Sequence, residues 1–101
     1  MSFDGLQSGV IISFRHKGLK RFYQDDDRSK LPADLIERIR GILTVLEFAT
    51  ELAAIDRPTL RLHALKGDLK GFHAVTVRAN WRIVFRFEGE NVHDADLVDY
   101  H

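Results

Sequence analysis

The sequence predicts an α+β fold: one N-terminal strand, two helices, then an antiparallel meander that forms a small sheet packed on the helices. Three patterns carry this reading. Residues 10–14 (VIISF) are a β-branched run ahead of any helical signal. Leu35, Ile39, Ile42, Leu43 and Leu46 then recur at i, i+4, i+7, i+8 and i+11, the period of an α-helix. From residue 60 onward the apolar residues instead alternate with period two. At 101 residues the chain is one domain, long enough for a single core and too short for two.

Residues 1–9 are polar and lack any period, and read as a flexible N-terminal arm. Residues 10–14 make one short buried strand at a sheet edge. Residues 16–23 place Leu19, Phe22 and Tyr23 on one side and Lys17, Lys20 and Arg21 on the other, a short amphipathic helix. Asp25, Asp26, Asp27 and Ser29 follow as a solvated loop; three contiguous carboxylates lack the convergence that a divalent cation needs. The main helix runs from Pro32 to about Leu52. Proline suits its first turn, and Asp34 and Glu37 complement its positive end. Strands are expected at residues 60–62, 73–78, 81–87 and 92–100, with a tight turn at Ala79-Asn80 and a hairpin loop at residues 88–91. In the third of these, Trp81, Ile83, Phe85 and Phe87 face the helices, while Arg82, Val84 and Arg86 look away.

Composition excludes several classes. There is no cysteine, hence no disulfide, thiolate metal site or thiol nucleophile. No apolar run approaches a membrane span and no signal peptide is visible, so a cytoplasmic protein is expected. A zinc site from His63, His93 and His101 matches no metal-ligand spacing, and neither metal nor cofactor is expected. The net charge is zero, but its distribution is uneven. Residues 57–86 hold seven Lys/Arg against Asp68 alone, and residues 87–101 hold five acids and no Lys or Arg. Either the basic block meets a polyanion, or the two blocks neutralise each other across adjacent strands.

The chemistry concentrates in two places. Residues 60–71 (LRLHALKGDLKG) set His63 and Lys66 three apart, where a strand runs into a Gly-Asp turn. The last three residues add Asp99, Tyr100 and His101, with Asp99 and His101 on one strand face and Tyr100 on the other. If the fold unites them, one pocket holds two imidazoles, a carboxylate, a phenol and a fixed cation. That set suits RNA cleavage, because RNA carries its own nucleophile, the 2′-hydroxyl. What remains is a base for that proton, an acid for the 5′-oxygen, and cations for the charge on the phosphate. Asp99 or His63 is the candidate base and His101 the acid. Lys66 and Arg82 form the electrostatic clamp, with Lys70 and Arg86 as further phosphate contacts and Tyr100 stacking on a base.

SFRHKGLKRFY near the start, LRLHALKGDLKG, NWRIVFRFEG and the closing DYH together resemble the HigB-type toxins of type II toxin–antitoxin modules, a branch of the RelE-like mRNA interferases. The resemblance spans residues 10–101. It implies a β-α-α-β-β-β layout, cleavage of translated mRNA at the ribosome, and active-site residues at His63, Lys66, Asp99, Tyr100 and His101, with Arg82 as a phosphate contact. It also implies a helix-turn-helix antitoxin of the HigA type, through which the complex binds operator DNA. Family members often carry DYE where this chain has Asp96-Leu97-Val98, and are usually basic where this chain is neutral. Two other readings share the fold: a ParE-like gyrase inhibitor that acts by binding, and an inactive relative that only binds an antitoxin.

Overall fold

The computed structural model describes residues 11–100, so the expected arm at residues 1–9 and the candidate His101 lie outside the described residues. Two helices, α1 (Lys17–Asp25) and α2 (Ile36–Phe48), cover one face of a four-stranded antiparallel sheet. Its strands are β1 (His63–Ala64), β2 (Phe72–Arg78), β3 (Trp81–Glu88) and β4 (Asn91–Asp99), paired in chain order. The architecture is the expected α+β one, because the two periodicities each present a single apolar face and the faces bury each other.

Helix α1 starts one residue later than its apolar spacing implied. His16 is the cap: its Nδ1 accepts the Leu19 N–H at 3.1 Å. The helix then runs on to Asp25 and stops where Asp26 turns left-handed. Asp27 folds onto Ser29, accepting from both its N–H and its hydroxyl, so the acidic run is a capped turn. Helix α2 is preceded by a 3-10 turn at Ala33–Leu35 and ends at Phe48, short of the expected Leu52. Ala49 is extended, and a second 3-10 turn at Leu52–Ala54 redirects the chain so that Ile55 enters the core fully buried. Burying Ile55 outweighs another helical turn.

The expected strand at residues 60–62 is a turn instead, and the strand begins at His63. Leu60 is buried, while Arg61 adopts a left-handed backbone with φ 52, which no strand accommodates. Leu60 O still accepts the Thr76 N–H of β2 at 2.8 Å, and Arg38 of α2 reaches the same corner. Its guanidinium donates to the carbonyls of Thr76, Val77 and Thr59, satisfying acceptors at the end of β2.

Among the described residues the N-terminal run forms two isolated parallel bridges on the edge of β4, Ile11 to Val92 and Phe14 to Ala95. What holds it there is a bulge. Between Val84 and Arg86 the pairing with β4 shifts, and Asp94 sits left-handed at φ 56. Ser13 Oγ accepts the Asp94 N–H at 2.9 Å and donates to Asp94 Oδ1 at 3.3 Å, tying the two segments together.

The main core lies between helices and sheet, with Leu19, Ile39, Leu46, Ile83 and Phe85 fully buried. Glu47 is buried there too, and accepts the Tyr23 hydroxyl; burial and this carboxylate push the phenol far above its ordinary value.

Candidate active site

On the face of the sheet turned away from the helices lies a second, smaller apolar cluster: Phe72, Ala74 and Val84, with Leu65, Leu69 and Val98 packed against it. The candidate residues that are described can be located relative to this patch. Cross-strand partners share a face, so His63, paired with Ala74, stands on this side at the β1 edge. Arg82, paired with Thr76 and Val98, stands on it in the middle of the sheet.

The loop after β1 folds over the patch rather than away from it. Leu65 donates its N–H to Phe72 O at 2.9 Å, and the 3-10 turn Gly67–Leu69 presses Leu69 onto the cluster. Gly67 and Gly71, both at positive φ, make that reversal possible. Lys66 and Lys70 flank the turn, both exposed.

His63 has one nitrogen engaged and one available. Its Nδ1 lies 3.0 Å from Arg61 O, and because a carbonyl can only accept, Nδ1 carries the hydrogen. In the neutral ring Nε2 then holds a lone pair on an exposed side chain. The left-handed turn at Arg61 aims that carbonyl, and nothing in the residue's identity signals it.

His73, next to this pair, is the opposite case. Its ring stacks on Phe85 at 6.1 Å, and its Nδ1 is buried without a hydrogen-bond partner among the described residues. Burial holds its pKa below 6.5, and the charge of His63 pushes the same way. Well above pH 6.5 neither folded nor unfolded chain protonates this ring. As pH falls, the unfolded chain binds a proton that the folded chain refuses, so stability drops until the folded pKa is passed. Replacing His73 with Phe removes that loss: urea midpoints of the variant change less than those of the wild type from pH 6.5 down to about 5.

The C-terminal half of the set is placed differently. Asp99 pairs with Trp81, whose ring packs on the main core, so its side belongs to the helix-covered face. Tyr100 donates its N–H to Asn80 O at 2.8 Å, is 39% exposed, and lies one alternation beyond Val98, toward Arg82. Because the strand order is β1-β2-β3-β4, His63 and the Asp99-Tyr100 end occupy opposite edges. Three strand spacings separate the edges, roughly 14 Å. The two places share a sheet without forming one pocket. Described clefts of about 170 and 770 Å³ lie instead along α1, lined by residues such as Tyr23 and Glu47, and Lys17 and Lys30. The candidate site is an open face.

Of the seven cations in the basic block, Arg86 is neutralised by the acidic block, through Asp94 at 2.9 Å and through Glu88. Its guanidinium in turn holds the Asp94 carboxyl below the usual range. Arg78 meets Asp34 of the helical half. Arg82 donates to the Ala79 and Trp81 carbonyls, which fixes its fork without cancelling its charge. Lys66, Lys70 and Arg82 form no ion pair among the described residues. Mutual neutralisation therefore accounts for Arg86, and Lys66, Lys70 and Arg82 remain without ion pairs among the described residues on a face that Asp96, the partner of Val84, also shares. Arg86, expected as a phosphate contact, is committed to carboxylates. No three His, Cys, Asp or Glu among the described residues converge as metal ligands, and His63 and His93 stand on opposite edge strands.

The family described as RelE-like toxin of type II toxin–antitoxin system HigB matches residues 12–101 of this chain. The chain is 41% identical over 92 residues to Endoribonuclease HigB of Proteus vulgaris, covering 91% of this chain and all of that protein. It is 30% identical over 80 residues to Toxin HigB-1 of Vibrio cholerae serotype O1, covering 77% of this chain and 84% of that one. Among solved structures it is similar to the YoeB dimer from Staphylococcus aureus, with TM-score 0.54, 18% identity and 91% and 95% of the two chains covered. It is also similar to the YoeB/ParE toxin from Agrobacterium tumefaciens, with TM-score 0.51, 18% identity, and 91% and 98% covered. These last two likenesses speak to the fold alone.

Proposed function

The chain belongs to the HigB-like family of RelE-like toxins of type II toxin–antitoxin systems, and from that premise we propose how it works as an endoribonuclease. The RNA lies across the open sheet face, with His63 acting from one edge and the C-terminal residues from the other. Nε2 of His63 takes the proton of a 2′-hydroxyl as that oxygen attacks the adjacent phosphorus. The bond from phosphorus to the 5′-oxygen breaks, His101 returns a proton to that oxygen, and the strand is left with a cyclic phosphate. Lys66 and Arg82 stabilise the charge that builds on the phosphate, with Lys70 as an outer contact. Tyr100 stacks on a substrate base, and Asp99 orients the terminal residues.

The observation that carries this reading is the Nδ1 contact of His63 with the Arg61 carbonyl, which leaves Nε2 as the exposed lone pair on the face that holds Arg82. It favours His63 over Asp99 as the base.

A type II toxin has an antitoxin as its partner. We propose that it is a helix-turn-helix protein of the HigA type that carries the complex to operator DNA, and that the substrate is mRNA on the ribosome, in the cytoplasm. Inducible expression with primer extension on abundant mRNAs tests this. Cuts inside translated codons, absent when His101 is deleted, are expected. Growth arrest with intact mRNA in both strains would move the protein to the gyrase-binding class.

A further inference from the structure

One cation on the active face comes from outside the basic block. Arg15 follows the short N-terminal bridge segment, and its N–H donates to Ala95 O at 2.8 Å on β4. From that edge its side chain reaches across the sheet, and the guanidinium carbon stands 4.9 Å from the centroid of the Phe72 ring. Phe72 belongs to the apolar patch, two residues along β2 from Ala74, the partner of His63, on the side away from Arg82, and is only 8% exposed. Arg15 itself is exposed. Resting on a ring, a guanidinium keeps its charge and its in-plane N–H donors, whereas a carboxylate would take both.

The neighbouring arginine sharpens the contrast. Arg86, directly paired with Phe72, is held by Asp94 and Glu88. Arg15 has no ion pair among the described residues. Asp94, whose carboxyl feels the charge of Arg15, spends its Oδ2 on Arg86 and its Oδ1 on Ser13. The bulge thus does two things: it anchors residues 13–15 so that Arg15 points over the face, and it occupies the carboxylate that would otherwise capture it.

We infer that Arg15, laid over Phe72 by the Ser13–Asp94 bulge, binds a backbone phosphate of the RNA on the active face. This deepens the reading of that face as the RNA-cutting surface and rests on it. A phosphate held there sits over β2, beside the Ala74 row that holds His63 and on the far side of that row from Arg82. Arg15 is a binding residue here, with no part in proton transfer.

The test compares wild type, Arg15→Gln, Arg15→Lys and Arg82→Ala in two assays: binding of a short labelled single-stranded RNA with uncleavable 2′-O-methyl sugars across several KCl concentrations, and cleavage of mRNA on programmed ribosomes. Losing a charge-assisted phosphate contact should weaken RNA binding by about tenfold to a hundredfold at low salt in Arg15→Gln. It should also flatten the log–log salt slope by about 0.7, one phosphate fewer on a single strand. Arg15→Lys keeps the slope and recovers part of the affinity. In cleavage, Arg15→Gln raises the half-saturating ribosome concentration and leaves the saturating rate unchanged. An unchanged salt slope in Arg15→Gln overturns the inference, as does a lowered melting temperature that alone accounts for the loss, since Arg15 would then be a lid on Phe72. If the wild type binds RNA but cuts none, the reading of the reaction fails while the slope still decides the role of Arg15.

Discussion

Replacing His63 with alanine lowers the rate of RNA cleavage by about 10²- to 10⁴-fold, the range typical of losing a positioned general base. The melting temperature should stay where it was. The side chain is exposed, its one described hydrogen bond is to a neighbouring turn, and surface changes of this kind are worth about 0.5 kcal/mol or less. That separation of rate from stability is what makes the result informative. A residue that merely shaped β1 would lower both, and a pure gyrase binder would lose neither. The pH–rate profile adds a second check: the acidic limb of the wild type, set by the need for an unprotonated base, disappears in His63→Ala. Persistence of that limb with an unchanged rate would return the role of base to Asp99. Cutting of mRNA on programmed ribosomes followed at saturating substrate, beside thermal unfolding of the same preparations, measures both quantities.

Much of this arrangement could be read from periodicity. The 3.6-residue spacing from Leu35 to Leu46 placed α2, and the alternation from Trp81 to Phe87 correctly separated the core face from the face with Arg82 and Val84. Both signals are strong because burial on one side only leaves a regular trace. The failures occur where the trace is absent. Leu60 and Leu62 look like a strand, yet a left-handed Arg61 between them and the Arg38 guanidinium on the β2 carbonyls make that segment a turn. Asp94 opens the bulge without a glycine to announce it. Arg15 sits outside the basic block, and only the path of residues 11–15 along β4 carries it to the candidate face.

One consequence was available in the sequence pattern and not obvious from it. In a meander of four strands joined in order, the first and last strands are necessarily the two edges. His63 on β1 and the Asp99-Tyr100 end of β4 are therefore separated by the width of the sheet. An open face suits the proposed substrate. A messenger strand held elsewhere along its length can be laid across such a surface, whereas a closed pocket would have to thread it.

Phe85→Ala should cost about 3–5 kcal/mol, the largest stability loss of any single change considered. Phe85 is 0% exposed and heads the fully buried side chains by volume, and it lies in the middle of β3 between two paired strands. A domain of this size has about 5–15 kcal/mol in total, so the variant would keep a fraction of its stability. Its melting temperature should fall by more than about 10 °C. The same ring also stacks on His73, and burial is the main reason that His73 resists protonation. Opening a cavity there admits water to the imidazole and relaxes the penalty on its charged form. Phe85→Ala should thus be less stable at every pH yet less sensitive to acid than the wild type below pH 6.5. Urea unfolding of wild type, Phe85→Ala, His73→Phe and the double variant at several pH values resolves this as a cycle. The two changes should be additive in stability at neutral pH only if the rings do not interact, and stacking predicts that they are not. A Phe85→Ala variant that kept the full acid sensitivity of the wild type would show that His73 is shielded by some neighbour other than this ring.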